Sequence, residues 1–296
     1  MAARIRHGMA SGFFFVPLPT LAETYGSGLS LLCRKRRGES ALNAPPTAER
    51  QAAGSQAPHP TLPGYYDVAE ERAGFVRRLF DDTARHYDRI NAVFSLGTGG
   101  RYRRQTLQRA GLRSGMRVLD VACGTGLVTR EAARIVGAEG HVMGLDPSAG
   151  MLAEARRQLR LPFLQGRAET LPLADASLDF ITMGYALRHV ADLAGPFAEY
   201  RRVLRPGGTV LLLEIGRPDG PVAHALAKTY LGKVVPALCR VAAPAARSGM
   251  LMQYYWDTIE ACVPAETILH HLRMAGFAQV ECETTLGIFR SYIARR

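Results

Sequence analysis

The chain has 296 residues, 47% of them apolar and 21% charged, a balance that suits a globular protein of one or two domains. No apolar run approaches the ~18 residues of a membrane-spanning helix. The net charge is +11, of which the first 60 residues carry +4, and most of the excess is arginine spread through the helices, with no basic patch interleaved with aromatics. Nucleic acid is therefore not an expected partner, whereas peripheral contact with an anionic membrane surface is.

In chain order, residues 1–62 read as an N-terminal extension rich in Pro, Ala, Ser and Gly. Its apolar stretch at 13–21 is broken by Pro17 and Pro19, too early for a secretory signal, and RKRR follows at 34–37. A basic, acid-poor start resembles an organelle transit segment, which would place the protein in the mitochondrial matrix; an over-extended start codon explains it equally. The five cysteines, at 33, 123, 239, 262 and 282, are odd in number and lack metal-pair spacing. They point to a reducing compartment, the cytoplasm by default, and to no bound metal.

The expected domain spans 63–296. Ala69, Ala73, Val76, Leu79, Phe80 and Ala84 predict an amphipathic helix over 68–85, with DDTARHYDRIN (81–91) breaking into a loop. A helix follows FSLGTGGRYRR (94–104) and ends near Gly111. From Arg117 strands and helices alternate: strands at 117–122, 141–145, 162–165, 178–184 and 209–214, helices at 127–137, 149–160, 192–204 and 265–275. Residues 279–293 alternate like a terminal hairpin, and 216–263, too long for a crossover, are expected to form helices over a substrate pocket. The class is α/β, a doubly wound, mostly parallel sheet with sites at the carboxyl ends of its strands.

The segment VLDVACGTGLVTRE (118–131) joins a buried strand to a helix through a bare loop. Gly124 and Gly126 accept positive φ and leave room for a ligand against the main chain. Asp146 ends the next strand, 20 residues beyond Gly126, where a carboxylate can take two ribose hydroxyls or cap the helix that follows. A dinucleotide loop wants a third small residue where Thr129 stands, and an acid such as Asp120 would face a pyrophosphate. S-adenosylmethionine has no phosphate and a cationic amino-acid end, which Asp120 would favour, so the loop leans towards that cofactor.

Together the motifs resemble the class I S-adenosylmethionine-dependent methyltransferases. Within them, FDDTARHYDRIN (80–91), ALRHV (186–190), YRRVLRPGGTVLLLEIGRP (200–218) and AGF (275–277) resemble the C-methyltransferases of ubiquinone and menaquinone biosynthesis. The resemblance covers about three quarters of the chain, roughly 80–292. It implies a seven-stranded sheet with an antiparallel last strand. It implies that Gly124, Gly126 and Thr129 contact the cofactor, that Asp146 binds the ribose, and that Arg167 and Ala168 lie along the adenine. The family often has Asn or Asp where Arg167 stands, Ser where Gly184 sits beside the cofactor, and Asn where His189 stands; 250–264 also departs from it.

Carbon methylation of a quinol is helped by a base that removes a hydroxyl proton, and the candidates are His189, Tyr87, Asp88 and Tyr185. Arg188 is a further candidate, with a structural pairing to a carboxylate as its alternative role, and Tyr254, Tyr255 and Trp256 are either pocket wall or core. The expected acceptor is a small lipophilic aromatic such as a prenylated quinol. A phospholipid amine or secondary metabolite is the alternative, and non-catalytic cofactor binding the third reading. A homodimer is among the expectations.

Overall fold

The computed structural model describes residues 56–242 and 248–296, so residues 1–55 of the expected extension, including RKRR, lie outside the described part. Residues 56–62 belong to the folded unit rather than to the extension. Leu193 donates to the Gln56 carbonyl, Val263 to that of Pro58, and Arg72 Nη2 to that of His59.

Helix α1 (Glu71–Phe94) runs unbroken through the stretch expected to be a loop. Leu79, Thr83 and Ile90 keep one face buried, and the acids of DDTARHYDRIN have tertiary partners. Asp81 accepts from Ser148 Oγ (2.6 Å) and Gly150 N (2.8 Å), and Asp88 from Thr125 Oγ1 (2.6 Å) and Gln158 Nε2 (2.8 Å). Sequence polarity there marks helix-to-helix docking, not a break. After α2 (Gly99–Arg109) come β1 (Arg117–Val121), α3 (Leu127–Val136), β2 (His141–Asp146), α4 (Ala149–Gln158), β3 (Phe163–Gln165) and β4 (Leu178–Gly184). A single 3-10 turn (Leu187–His189), α5 (Ala194–Val203) and β5 (Leu204–Ile215) follow.

The long connection after β5 is helical, as expected: α6 (Pro221–Thr229), a π-turn (Tyr230–Val234), α7 (Val235–Ala242) and α8 (Ser248–Ala261). α9 (Ala265–Met274) leads to the hairpin of β6 (Ala278–Thr285) and β7 (Phe289–Arg295).

The seven strands lie in the order β3-β2-β1-β4-β5-β7-β6, all parallel except the pairings of β7 with β5 and β6, which are antiparallel. Val118, Leu119 and Val121 of β1, and Phe180 and Ile181 of β4, are buried because helices cover both faces, which is why these strands read as continuous apolar runs. One face packs Leu119, Val121 and Ile181 against Phe197 of α5 and Leu272 of α9; the other packs Val118, Phe180 and Leu211 against Leu107, Val128 and Ala132. A third cluster joins Val76 and Leu79 of α1 to Leu251, Tyr254 and Trp256 of α8, so helices roof the carboxyl ends of the strands. The chain order reverses between β1 and β4, and the crevice beyond those strand ends is where an open α/β sheet takes ligands. No described helix is long and apolar enough to cross a membrane.

Candidate functional site

Ala122 and Tyr185, the residues that follow β1 and β4, both have positive φ, 53° and 61°. Non-glycine residues rarely occupy this region, and strain held at two adjacent strand tips marks a site. A cavity of about 530 Å³ opens there. It is walled by Phe80 and Tyr87 of α1, the glycine loop, the end of β2, the 166–169 segment and the end of β4.

Asp146 faces this cavity at 6% exposure. Its Oδ2 accepts from Gly124 N and its Oδ1 from Ser148 N, each at 2.8 Å. Burial pushes its carboxyl up to about 6, against the pull of those two N–H groups. Each oxygen keeps a lone pair, enough for a pair of ribose hydroxyls. Gly124 has φ +56°, and a Cβ there would meet only Tyr87 Cε1, at 4.0 Å. The glycine is thus required by backbone conformation more than by space. Its N–H is spent on Asp146 and is not free to cradle a phosphate, which favours an adenosine cofactor without pyrophosphate. Leu145, Met151, Ala168 and Met183 supply apolar wall for a purine. Gly184 also lines the cavity, and a Cβ on it would come within 2.7 Å of Val128 Cγ2. Arg167 sits at the rim, its guanidinium turned to Glu169 (3.3 Å).

Three residues expected to touch the cofactor do not line the cavity. Asp120 is fully buried behind the loop, where Thr129 Oγ1 donates to its Oδ2 at 2.5 Å; burial pushes its carboxyl up to about 7. Asp120 and Thr129 therefore bolt α3 to β1 instead of meeting the ligand's cationic end. Gly126 (φ +86°) faces away, and a Cβ on it would strike Leu159 Cδ1 at 2.7 Å. Cys123 fills space beside Gly144, as a small packing residue.

Two of the catalytic candidates are also elsewhere. Arg188 is fully buried and pairs with Glu214 at 2.5 Å, with Tyr255 stacked 4.9 Å from its Cζ, so it ties β4 to β5 and α8. Asp88 has both oxygens engaged by Thr125 and Gln158 and holds α1 over the glycine loop. His189, Tyr87 and Tyr185 do line the cavity. The His189 ring stacks on Tyr254 and meets Phe80 edge-on, each at 5.5 Å, and neither ring nitrogen has a partner among the described residues. Burial, with Arg188, His59 and Arg72 nearby, holds it well below the usual histidine range, as a neutral base.

A second cavity, about 350 Å³, adjoins the first and shares Tyr87 and Tyr185 with it. Its wall includes Ile90, Phe94, Tyr102, Arg103, Leu251 and Phe289, from α1, α2, α8 and the edge of β7. Sequence reasoning missed these residues, whose separation along the chain carries no local motif. It also missed Asp81, whose clamp on Ser148 and Gly150 shapes the head of α4. Another cleft, about 710 Å³ beside Gly216 and Glu260, holds none of the glycine-loop residues.

Two solved structures share this architecture. A SAM-dependent methyltransferase from Thermotoga maritima matches 74% of this chain and 98% of its own at TM-score 0.53 and 20% identity. One described as an S-adenosyl-L-methionine-dependent methyltransferase from Methanococcus maripaludis matches 73% and 93% at TM-score 0.53 and 17% identity. The fold is that of the class I methyltransferases, and the crevice fits their cofactor. The model of the ubiE/COQ5 methyltransferase family matches residues 66–296. The demethylmenaquinone methyltransferase of Lactococcus lactis is 36% identical over 222 residues, 72% of this chain and 85% of that one. The ubiquinone/menaquinone biosynthesis C-methyltransferase UbiE of Hahella chejuensis is 34% identical over 221 residues, 72% and 88%. The chain belongs to the ubiE/COQ5 methyltransferase family, and it is an enzyme that uses S-adenosylmethionine.

Proposed function

We propose that this enzyme methylates a ring carbon of a small lipophilic quinol carrying a prenyl chain. The observation that carries the reading is the apolar cavity joined to the cofactor cavity at Tyr87 and Tyr185. S-adenosylmethionine, bound over Asp146, supplies an electrophilic methyl group. The chain's own residues do the positioning: Tyr87 and Tyr185 set the acceptor ring at the junction, and Phe80 with Val190 excludes water from the cofactor side. His189, buried on the cofactor side and held neutral by its surroundings, serves there as an aromatic wall against Phe80 and Tyr254 rather than as the proton acceptor. The names of the relatives, demethylmenaquinone methyltransferase and ubiquinone/menaquinone biosynthesis C-methyltransferase, support the acceptor class.

Leu96 and Leu286, 74% and 84% exposed, flank the mouth of the apolar cavity, which supports delivery of the acceptor from a lipid surface. In this reading the enzyme works in the cytoplasm, against the face of a membrane.

The test is incubation with S-adenosylmethionine bearing a labelled methyl and, in parallel, a demethylated prenyl quinol and phosphoethanolamine, with products resolved by mass spectrometry. Label on a ring carbon of the quinol is the expected result. Label on oxygen or nitrogen, or on phosphoethanolamine alone, would overturn it.

A further inference from the structure

Arg103 is the one charged side chain among the residues that line the apolar cavity. The rest of the polar lining is tyrosine, asparagine, serine and threonine. Arg103 is 7% exposed, and no carboxylate among the described residues lies within ion-pair distance of it. Its Nη2 donates to Asn91 Oδ1 at 3.2 Å, its Cζ lies 5.5 Å from the centre of the Tyr185 ring, and its Nε has no partner among the described residues. Asp120, behind the glycine loop, feels this charge as the least of the influences on it.

A guanidinium taken out of water without a counter-charge is unfavourable, and folded proteins rarely keep one unless an anion completes it. The glycine at 99 makes room for it, since a Cβ there would stand 2.7 Å from Arg103 Nη1. The guanidinium is held against Tyr185, the residue at the junction with the cofactor cavity. An anion bound to it therefore lies inside the acceptor cavity, close to where the methyl group is delivered.

We infer that Arg103 binds a ring oxygen of the acceptor as its anion, fixing which ring carbon faces the cofactor. This rests on the proposed hydroxylated aromatic acceptor. Binding transfers the hydroxyl proton to water and leaves a phenolate whose charge the guanidinium balances. The negative charge delocalises onto the ring carbons beside and opposite that oxygen, so the same contact activates the carbon and orients it. The ring enters oxygen first, with its chain trailing towards Leu96 and Leu286. Arg103 is thus both a binding and a specificity-determining residue.

The experiment uses the full chain and a 4-nitrophenol carrying an alkyl chain, whose phenolate absorbs in the visible, together with its methyl ether as an uncharged control. The wild type should lower the probe's apparent pKa by about one unit, an about tenfold preference for the phenolate. Arg103→Met should remove that shift and leave methyl-ether affinity and S-adenosylmethionine binding within about twofold, since neither uses a charge–charge contact at this position. Arg103→Lys should keep part of the shift, and Gly99→Ala, which crowds Nη1 without removing the charge, should weaken it. Gly99→Ala also answers for Arg103→Met if that variant fails to fold. An unchanged shift in Arg103→Met, or in Gly99→Ala if only that variant folds, overturns the inference alone. If the wild type binds neither probe nor ether, the lipophilic-acceptor reading falls and takes the inference with it.

Discussion

The two cavities that meet at Tyr87 and Tyr185 are built by different rules. The cofactor side is assembled from strand tips and the loops that leave them, in the sequence order 121–124, 145–151, 165–169 and 183–190, with part of α1 as its lid. Its central carboxylate is satisfied by nearby main chain, Asp146 taking the N–H groups of Gly124 and Ser148. The acceptor side is assembled from helices α1, α2 and α8 with the last hairpin, and its polar group of consequence, Arg103, is left incompletely paired. A site that every acceptor must share can be fixed locally by the sheet. A site that must distinguish acceptors is left to the helices laid over it, where substitutions do not disturb the strands.

Each side should be open to damage without the other. The largest effect is expected outside both cavities, at the buried ion pair that ties β4 to β5. Arg188→Met strands Glu214 as a buried unpaired acid, and should lower unfolding free energy by about 3–5 kcal/mol in urea titration. Arg188→Met combined with Glu214→Leu should recover much of that loss, and equal losses in the single and double variants would mean that the stranded acid is not the cause.

Next is Asp146→Ala, which should weaken S-adenosylmethionine binding by about 100-fold, or about 2.7 kcal/mol, in calorimetric titration. Affinity for the alkyl nitrophenol should stay within about twofold; a parallel loss would show that the two cavities are not separable. Gly184→Ala places a methyl against Val128 Cγ2 and should cost about 1–3 kcal/mol by thermal melting. Adding Val128→Ala should restore cofactor affinity if crowding is the cause.

The smallest effect is a pH slope. His189 is buried as the neutral base, so below its ordinary value of 6.5 the unfolded chain binds a proton that the folded chain refuses. That group's contribution is complete above 6.5 and is lost as pH falls. His189→Asn removes it, and the variant should gain stability relative to the wild type as pH falls below 6.5, read by urea titration across that range. Asp146 and Asp120, pushed up by burial, act with the opposite sign over this range, so the difference between the two proteins is the informative quantity, not the wild-type slope.

Much of the cofactor side was legible along the chain. A strand, a loop that needs positive φ at Gly124, a helix and an acid at the next strand tip are consecutive or nearly so, and local backbone geometry constrains their residue types. The strand–helix alternation and the terminal hairpin were legible for the same reason: burial on two faces or one leaves its period in the sequence. The failures share a cause too. The polar run 81–91 looked like a loop because its acids meet partners at Thr125, Ser148, Gly150 and Gln158, far along the chain.

The sequence by itself determined that the chain is a doubly wound α/β protein with an adenosine-type loop ending in Asp146, since short-range conformational demands settle those features. Only the tertiary structure decided which side each loop residue shows. Gly124, Asp146, Ala168 and Gly184 face the cavity, and Asp120, Gly126 and Thr129 face the core, a distinction set by how α3 and α4 pack on the sheet. It alone brought Arg103, Tyr185, Leu251 and Phe289 around one apolar space, because contact across such separations depends on the packing of whole elements and leaves no local pattern in the chain.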